Sequence, residues 1–184
     1  MKKIEKPEQG EYPAYASMYI NLVPDDGLVL QHLEENLKIM KYLALSFPEE
    51  ILSHRYSEGK WTIKETLVHI IDDERIYAYR ALRFARNDST ELPGFEQDDY
   101  TESSMANERS IDSILDEYET VRKSTLTLFK NMEGEWLKRS GVADKKKFSV
   151  RALIYHIAGH ELHHKNLIEK HYGSGIRASS IVKI

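Results

Sequence analysis

Four histidines, His156, His160, His163 and His164, crowd into one short stretch near the C-terminus. At roughly 100° per residue along a helix, His160 and His164 fall near the middle of an apolar stripe. That stripe is marked by Val150, Leu153, Ile157 and Leu167. His156 and His163 fall toward its edge. Residues four apart are neighbours on one helix face, so two imidazoles at that spacing can grip one metal ion, as in an HExxH helix. Burying two imidazoles side by side is costly without partners. A metal resolves that cost by taking one lone pair from each ring. The plainer alternative is two core histidines bonded to backbone or water. A third ligand has to come from another helix facing the same core. His69 is the one histidine of the second helical segment and adjoins Ile70 and Ile71. Three nitrogen ligands leave a fourth position open, the mark of a reactive rather than a structural zinc site.

Asp73 and Glu74 follow His69 by about one turn and are the candidate catalytic residues. Either could orient a ligand imidazole, act as a base, or complete the metal shell as a fourth ligand. The run His160-Glu161-Leu162-His163-His164 also spells HExxH, with Glu161 in the general-base position. A zinc hydrolase of that kind is a lesser alternative. It needs a further downstream ligand, and only Glu169 and His171 follow. The chain also shows no clear strands to bind an extended peptide by edge pairing. His32 and His54 stand without such company and read as boundary residues, and His171 as a cap of the last turn.

The elements that position these groups are helices. The first follows Pro24-Asp25-Asp26 and carries Leu30, Leu33, Leu37, Met40, Ala44 and Phe47 before Pro48 stops it. The second opens with Thr62 and Glu65, a capping-box pair. It carries Leu67, Ile70, Ile71, Glu74, Ala78, Ala81 and Ala85 inward and ends near Arg86-Asn87-Asp88. A long loop follows with Pro93, Gly94 and the acidic Glu96, Asp98 and Asp99. Loops of this length in a compact domain often line a site. The third helix carries Ile111, Ile114, Tyr118, Val121, Thr125, Leu128 and Met132, with Gly134 in C-cap position. Trp136 to Lys147 form a basic connection, read as a short hairpin, and Ser149 caps the fourth helix, which Gly173 closes. The spacing implies an all-α four-helix bundle. The expected organisation is an N-terminal extension over 1–26, the bundle over 27–173 and a C-terminal tail over 174–184.

Composition narrows the function. The 184 residues suit one domain. The net charge of −4 argues against broad nucleic-acid binding. With no cysteine, thiolate metal sites, disulfides and a catalytic cysteine are excluded. No apolar run approaches the roughly 20 residues of a membrane span, and the N-terminus lacks a signal-peptide core. These features lead to the expectation of a cytoplasmic protein.

Four stretches resemble the DinB/YfiT-like superfamily. They are Trp61-Thr62-Ile63-Lys64-Glu65 running into His69-Ile70, then Glu74 to Leu82, Leu92-Pro93-Gly94-Phe95, and Tyr155 to His164. The resemblance implies an antiparallel up-down-down-up bundle with a long crossover between helices two and three. It also implies one divalent metal on His69, His160 and His164. Zinc or nickel is expected, with iron and manganese as alternatives, since imidazole suits several metals. Homodimers are expected as well. Some similar proteins are metal-dependent transferases or isomerases that use a low-molecular-weight thiol such as bacillithiol or mycothiol. The expectation is a thiol S-transferase acting on a small electrophilic substrate, without nucleic acid or membrane. A non-catalytic metal-binding or stress-related bundle is the alternative.

Overall fold

The computed structural model describes residues 2–173, so the expected tail lies outside the described residues. Its elements in chain order are α1 (Ser17–Ile20), α2 (Val29–Leu45), α3 (Glu49–Leu52), α4 (Ile63–Ala85), α5 (Gln97–Ser103), α6 (Ile111–Lys130), α7 (Gly134–Lys138), β1 (Ser140–Ala143), β2 (Lys146–Ser149) and α8 (Val150–Tyr172). The four long helices α2, α4, α6 and α8 make the body. Both α4 and α2 pack on α6 and on α8. The chain's consecutive long helices α2 and α4 therefore stand diagonally.

Local chemistry sets the helix starts. The Thr62 side chain accepts from the Glu65 amide while Glu65 accepts from the Thr62 amide, closing the capping box of α4. Ser110 caps α6 and Ser149 caps α8 by one bond each, the serine hydroxyl accepting from the amide of Ser113 and of Ala152. The hairpin β1–β2 turns at Asp144 and Lys145, both at positive φ (51° and 59°). That geometry belongs to a two-residue hairpin loop twisted to match its strands.

Two local expectations change, and the packing of the N-terminal residues is added to them. Gly134 does not cap α6, which ends at Lys130 with Asn131 as its C-cap; it opens α7 instead. The connection after α4 is not wholly irregular, because α5 forms inside it with its acidic run in the first turn. The residues ahead of α2 are built into the core. Ile4, Ala16, Ile20 and Val23 are buried, the Tyr155 hydroxyl donates to the Ile4 carbonyl (2.8 Å), and α1 packs on α8. A Cβ at Gly159 of α8 would overlap the Tyr19 carbonyl, so this close approach needs glycine there.

The apolar core is split in two. One cluster holds Ile20, Leu33, Phe84, Phe129, Phe148 and Leu153; the other holds Met40, Phe47, Leu67, Ile71, Ile114 and Ile168. Between them every long helix contributes a buried polar residue: Asn36 from α2, Asp73 and Glu74 from α4, Arg122 from α6, His160 and Glu161 from α8. A polar layer buried in a bundle is costly unless its groups partner one another or a ligand.

Candidate metal centre

His69 of α4 and His160 and His164 of α8 come together within that layer. One nitrogen from each lies within 4.8 Å of the others. The Nε2 of His160 is 3.0 Å from Nε2 of His69 and 3.1 Å from Nε2 of His164. All three rings are buried. Burial, reinforced by the neighbouring imidazoles and opposed by Asp73, pushes His160 down to about 3. Burial lowers His69 and His164 as well. The cluster is therefore three neutral imidazoles near neutral pH, each with a lone pair to offer.

These residues fit a divalent metal. Asp73 Oδ2 stands 3.4 Å from His160 Nδ1, which favours a proton on that nitrogen and leaves the Nε2 lone pair facing the cluster. One lone pair cannot accept well from two imidazole donors at once. A cation that draws one lone pair from each ring satisfies all three. Nitrogens held about 2.0–2.1 Å from a tetrahedral zinc stand about 3.3 Å apart, close to the spacings found here. An acidic residue behind a ligand histidine is the usual arrangement for fixing its ring.

Glu74 does not reach the cluster. Both its oxygens accept from Arg122 of α6 (2.9–3.1 Å). Glu161 accepts from Arg122 Nη2 (2.9 Å) and from the Tyr118 hydroxyl. One residue along a helix is a turn of about 100°, so Glu161 faces α6 while His160 faces α4. The HExxH scheme fails here, because its general base is bound to an arginine away from the three nitrogens. Burial raises Glu161, against the pull of Arg122 and the hydrogen bond from Tyr118. Asp73 alone of the two candidate carboxylates is at the cluster. Burial would raise it, but His160 and His156 hold it well below the usual carboxylate range.

A cavity of about 310 Å³ opens beside His164, with Tyr56, Lys60, Trp61, Asp98 and Tyr172 among its walls. The Trp61 ring lies 4.6 Å from that of His69 and 6.2 Å from that of His164. Asp98, delivered by α5, is the one carboxylate in these walls. The acidic run marked this loop in the sequence, but nothing there said which carboxylate borders the cavity. Of the remaining histidines, His32 pairs with Asp26, and His171 stacks on Tyr56 (4.2 Å).

A helical bundle with a buried three-histidine cluster beside an open cavity defines a class of protein suited to hold a divalent metal. Residues 32–168 match the DinB superfamily, and the chain belongs to it. An Oceanobacillus iheyensis protein named "Putative metal-dependent hydrolase" is 31% identical over 124 residues, 65% of this chain and 69% of that one. YfiT from Bacillus subtilis, described as a probable metal-dependent hydrolase with an unusual four-helix bundle topology, shares the fold. Its TM-score is 0.71 at 15% identity, covering 92% of this chain and 94% of that one. The DinB-like protein YjoA of Bacillus subtilis aligns with a TM-score of 0.58 at 18% identity over 82% of this chain and 93% of that one. No helix among the described residues is long and apolar enough to cross a membrane.

Proposed function

We propose that this protein is a metal-dependent enzyme whose divalent ion, zinc or nickel, is held by His69, His160 and His164, and that it transfers a low-molecular-weight thiol to a small electrophile. The observation that carries the reading is a cavity wall shared with the ligand set. His164 lines the 310 Å³ cavity, and among the described residues no carboxylate joins the three nitrogens. When bound there, a divalent ion with an open position lowers the pKa of a thiol and supplies thiolate at neutral pH. The chain's own residues do the rest. Asp73 fixes the tautomer and orientation of His160. Trp61 packs on two of the three rings and walls them from water. Asp98 can take up the proton that the thiol gives up; the sulfur–carbon bond forms as the electrophile's bond to its leaving group breaks, chloride departing in the case of monochlorobimane, and Tyr56 and Tyr172 offer aromatic walls to the electrophile.

The test is thiol-dependent consumption of monochlorobimane by metal-loaded protein and by His160→Ala. The reading expects turnover that needs both the thiol and His160, and survival of turnover in His160→Ala would reject it. A second reading, hydrolysis with water in place of the thiol, is favoured by the names of the Oceanobacillus protein and of YfiT. Cleavage of an activated ester without thiol would select it. The non-catalytic alternative predicts no turnover of either kind.

Two finer readings belong with this one. The bundle is read as antiparallel up-down-down-up with its crossover between α4 and α6. In support, α2 and α8 run from the first apolar cluster to the second, while α4 and α6 run from the second to the first. The protein is read as a cytoplasmic homodimer, with the exposed Ile39, Tyr42 and Leu45 of α2 as an apolar surface for a second copy. Light scattering on the purified protein tests the dimer.

A further inference from the structure

A second cavity, of about 240 Å³, lies behind the histidine cluster. Its walls include Tyr15, Tyr19, Asp73, Tyr77, Arg80 and His156. Asp73 faces Nδ1 of His160, so this chamber adjoins the side of that ring turned away from the converging nitrogens. Tyr15 and Tyr19 come from the segment ahead of the part matched to the family.

Arg80 is the unusual residue in these walls. Three arginines of the described chain are buried, and two have carboxylates: Arg122 has Glu74 and Glu161, and Arg151 has Glu11. Arg80 is 4% exposed and forms no ion pair among the described residues; the carboxylate that feels its charge, Asp144, is paired with Lys146 instead. Its one hydrogen bond goes from Nη2 to the Pro93 carbonyl (3.1 Å). Its guanidinium lies 4.9 Å from the Tyr77 ring centre, and Tyr77 stacks on His156 at 3.9 Å on a nearly parallel plane. His156 is buried with neither ring nitrogen hydrogen-bonded, and Asp73 Oδ2 likewise lacks a hydrogen bond. A buried guanidinium is costly without a carboxylate in direct contact, and the cavity is where such a contact can enter.

We infer that this chamber binds a small carboxylic acid that also carries an amino or hydroxyl group. The carboxylate pairs with Arg80 in the planar two-point contact that guanidinium favours. The donor end lies toward Asp73. Asp73, Tyr77 and Arg80 follow one another at spacings of four and three along α4, which places them on one face and spans about 10 Å. The ligand is a monocarboxylate and not a phosphate, because Asp73, Glu96 and Asp144 also line the chamber and oppose a second negative charge. Asp144 is already engaged by Lys146. The chamber shares no lining residue with the cavity beside His164, touches the ligand set only through His160, and does not depend on the thiol chemistry.

Calorimetric titration of the metal-loaded full chain tests it, with 4-aminobutyrate, 4-hydroxybutyrate, butyrate, butylammonium and inorganic phosphate as probes. Saturation-transfer spectra of the same mixtures give a second readout. The bifunctional acids should bind more tightly than butyrate, and butylammonium and phosphate should not bind. Arg80→Gln should weaken the acids at least tenfold with metal content unchanged, and Arg80→Lys should restore part of the loss. No binding of either bifunctional acid to the wild-type chain at millimolar concentration overturns the inference. So does tighter binding of phosphate, or equal binding to a folded Arg80→Gln.

Discussion

Asp73 of α4 places its Oδ2 within 3.4 Å of Nδ1 of His160 on α8, and within 3.6 Å of Nε2 of His156. One carboxylate thus stands behind the histidine whose other nitrogen meets His69 and His164. Removing its charge while keeping its shape should weaken metal retention without unfolding the bundle. Asp73→Asn is expected to lose about 10–100-fold in affinity, measured by competition with a chromophoric chelator. Unchanged affinity would deny Asp73 its orienting role.

The buried group of Arg122, Glu74 and Glu161 ties α4, α6 and α8 together. Arg122→Leu strands two buried carboxylates and should cost about 3–5 kcal/mol. Adding Glu74→Leu to that variant should recover part of the loss, because one stranded charge is removed. Urea unfolding of the three proteins checks this. A loss of less than about 1 kcal/mol would mean the group behaves like a surface pair.

Much of this site can be read in the sequence, and the unread parts have physical reasons. His160 and His164 stand four apart on an apolar stripe, a pattern that needs no tertiary knowledge. His69 follows because it is the one histidine of its helix. Arg122 is hidden because an arginine off the apolar stripe ordinarily reads as solvent-facing; its burial depends on partners from two other helices. The inward face of Glu161 was equally hidden, since HExxH is a spacing and not a direction. The short α1 and α5 are below the length at which periodicity speaks, so Tyr19 and Asp98 gained their places only through tertiary packing.

The N-terminal segment crosses α8 where Gly159 admits the Tyr19 carbonyl. Gly159→Ala should push that segment outward at a cost of about 1–3 kcal/mol, although alanine is the better helix former. Thermal unfolding gives the size of the loss, and cleavage by chymotrypsin at Tyr15, Tyr19 or Leu22 should speed up. A variant more stable than wild type would show that the segment is not clamped there.

Glu11 holds the same segment to Arg151 at the start of α8 through paired hydrogen bonds, one of them 2.8 Å long. Partial burial pushes Glu11 up, but the hydrogen bonds from Arg151 and Ser149 outweigh it and bring the carboxyl from 4.5 down to about 2. A folded pKa below the unfolded one stabilises at pH above the unfolded value, and the contribution is lost as pH falls through the folded value. Wild type should therefore lose an advantage over Glu11→Gln between about pH 4.5 and about pH 2. The effect is modest, since this ion pair is partly open to solvent. Urea midpoints of both proteins across that range decide it, and a constant difference would contradict it.

The account rests on a metal at His69, His160 and His164. Elemental mass spectrometry of freshly purified protein, beside a His160→Ala/His164→Ala control, measures this directly. The account predicts one zinc or nickel ion per wild-type chain and none in the control. Wild-type protein that holds no metal even after reconstitution with zinc and nickel would contradict it, leaving the three rings as a purely structural cluster.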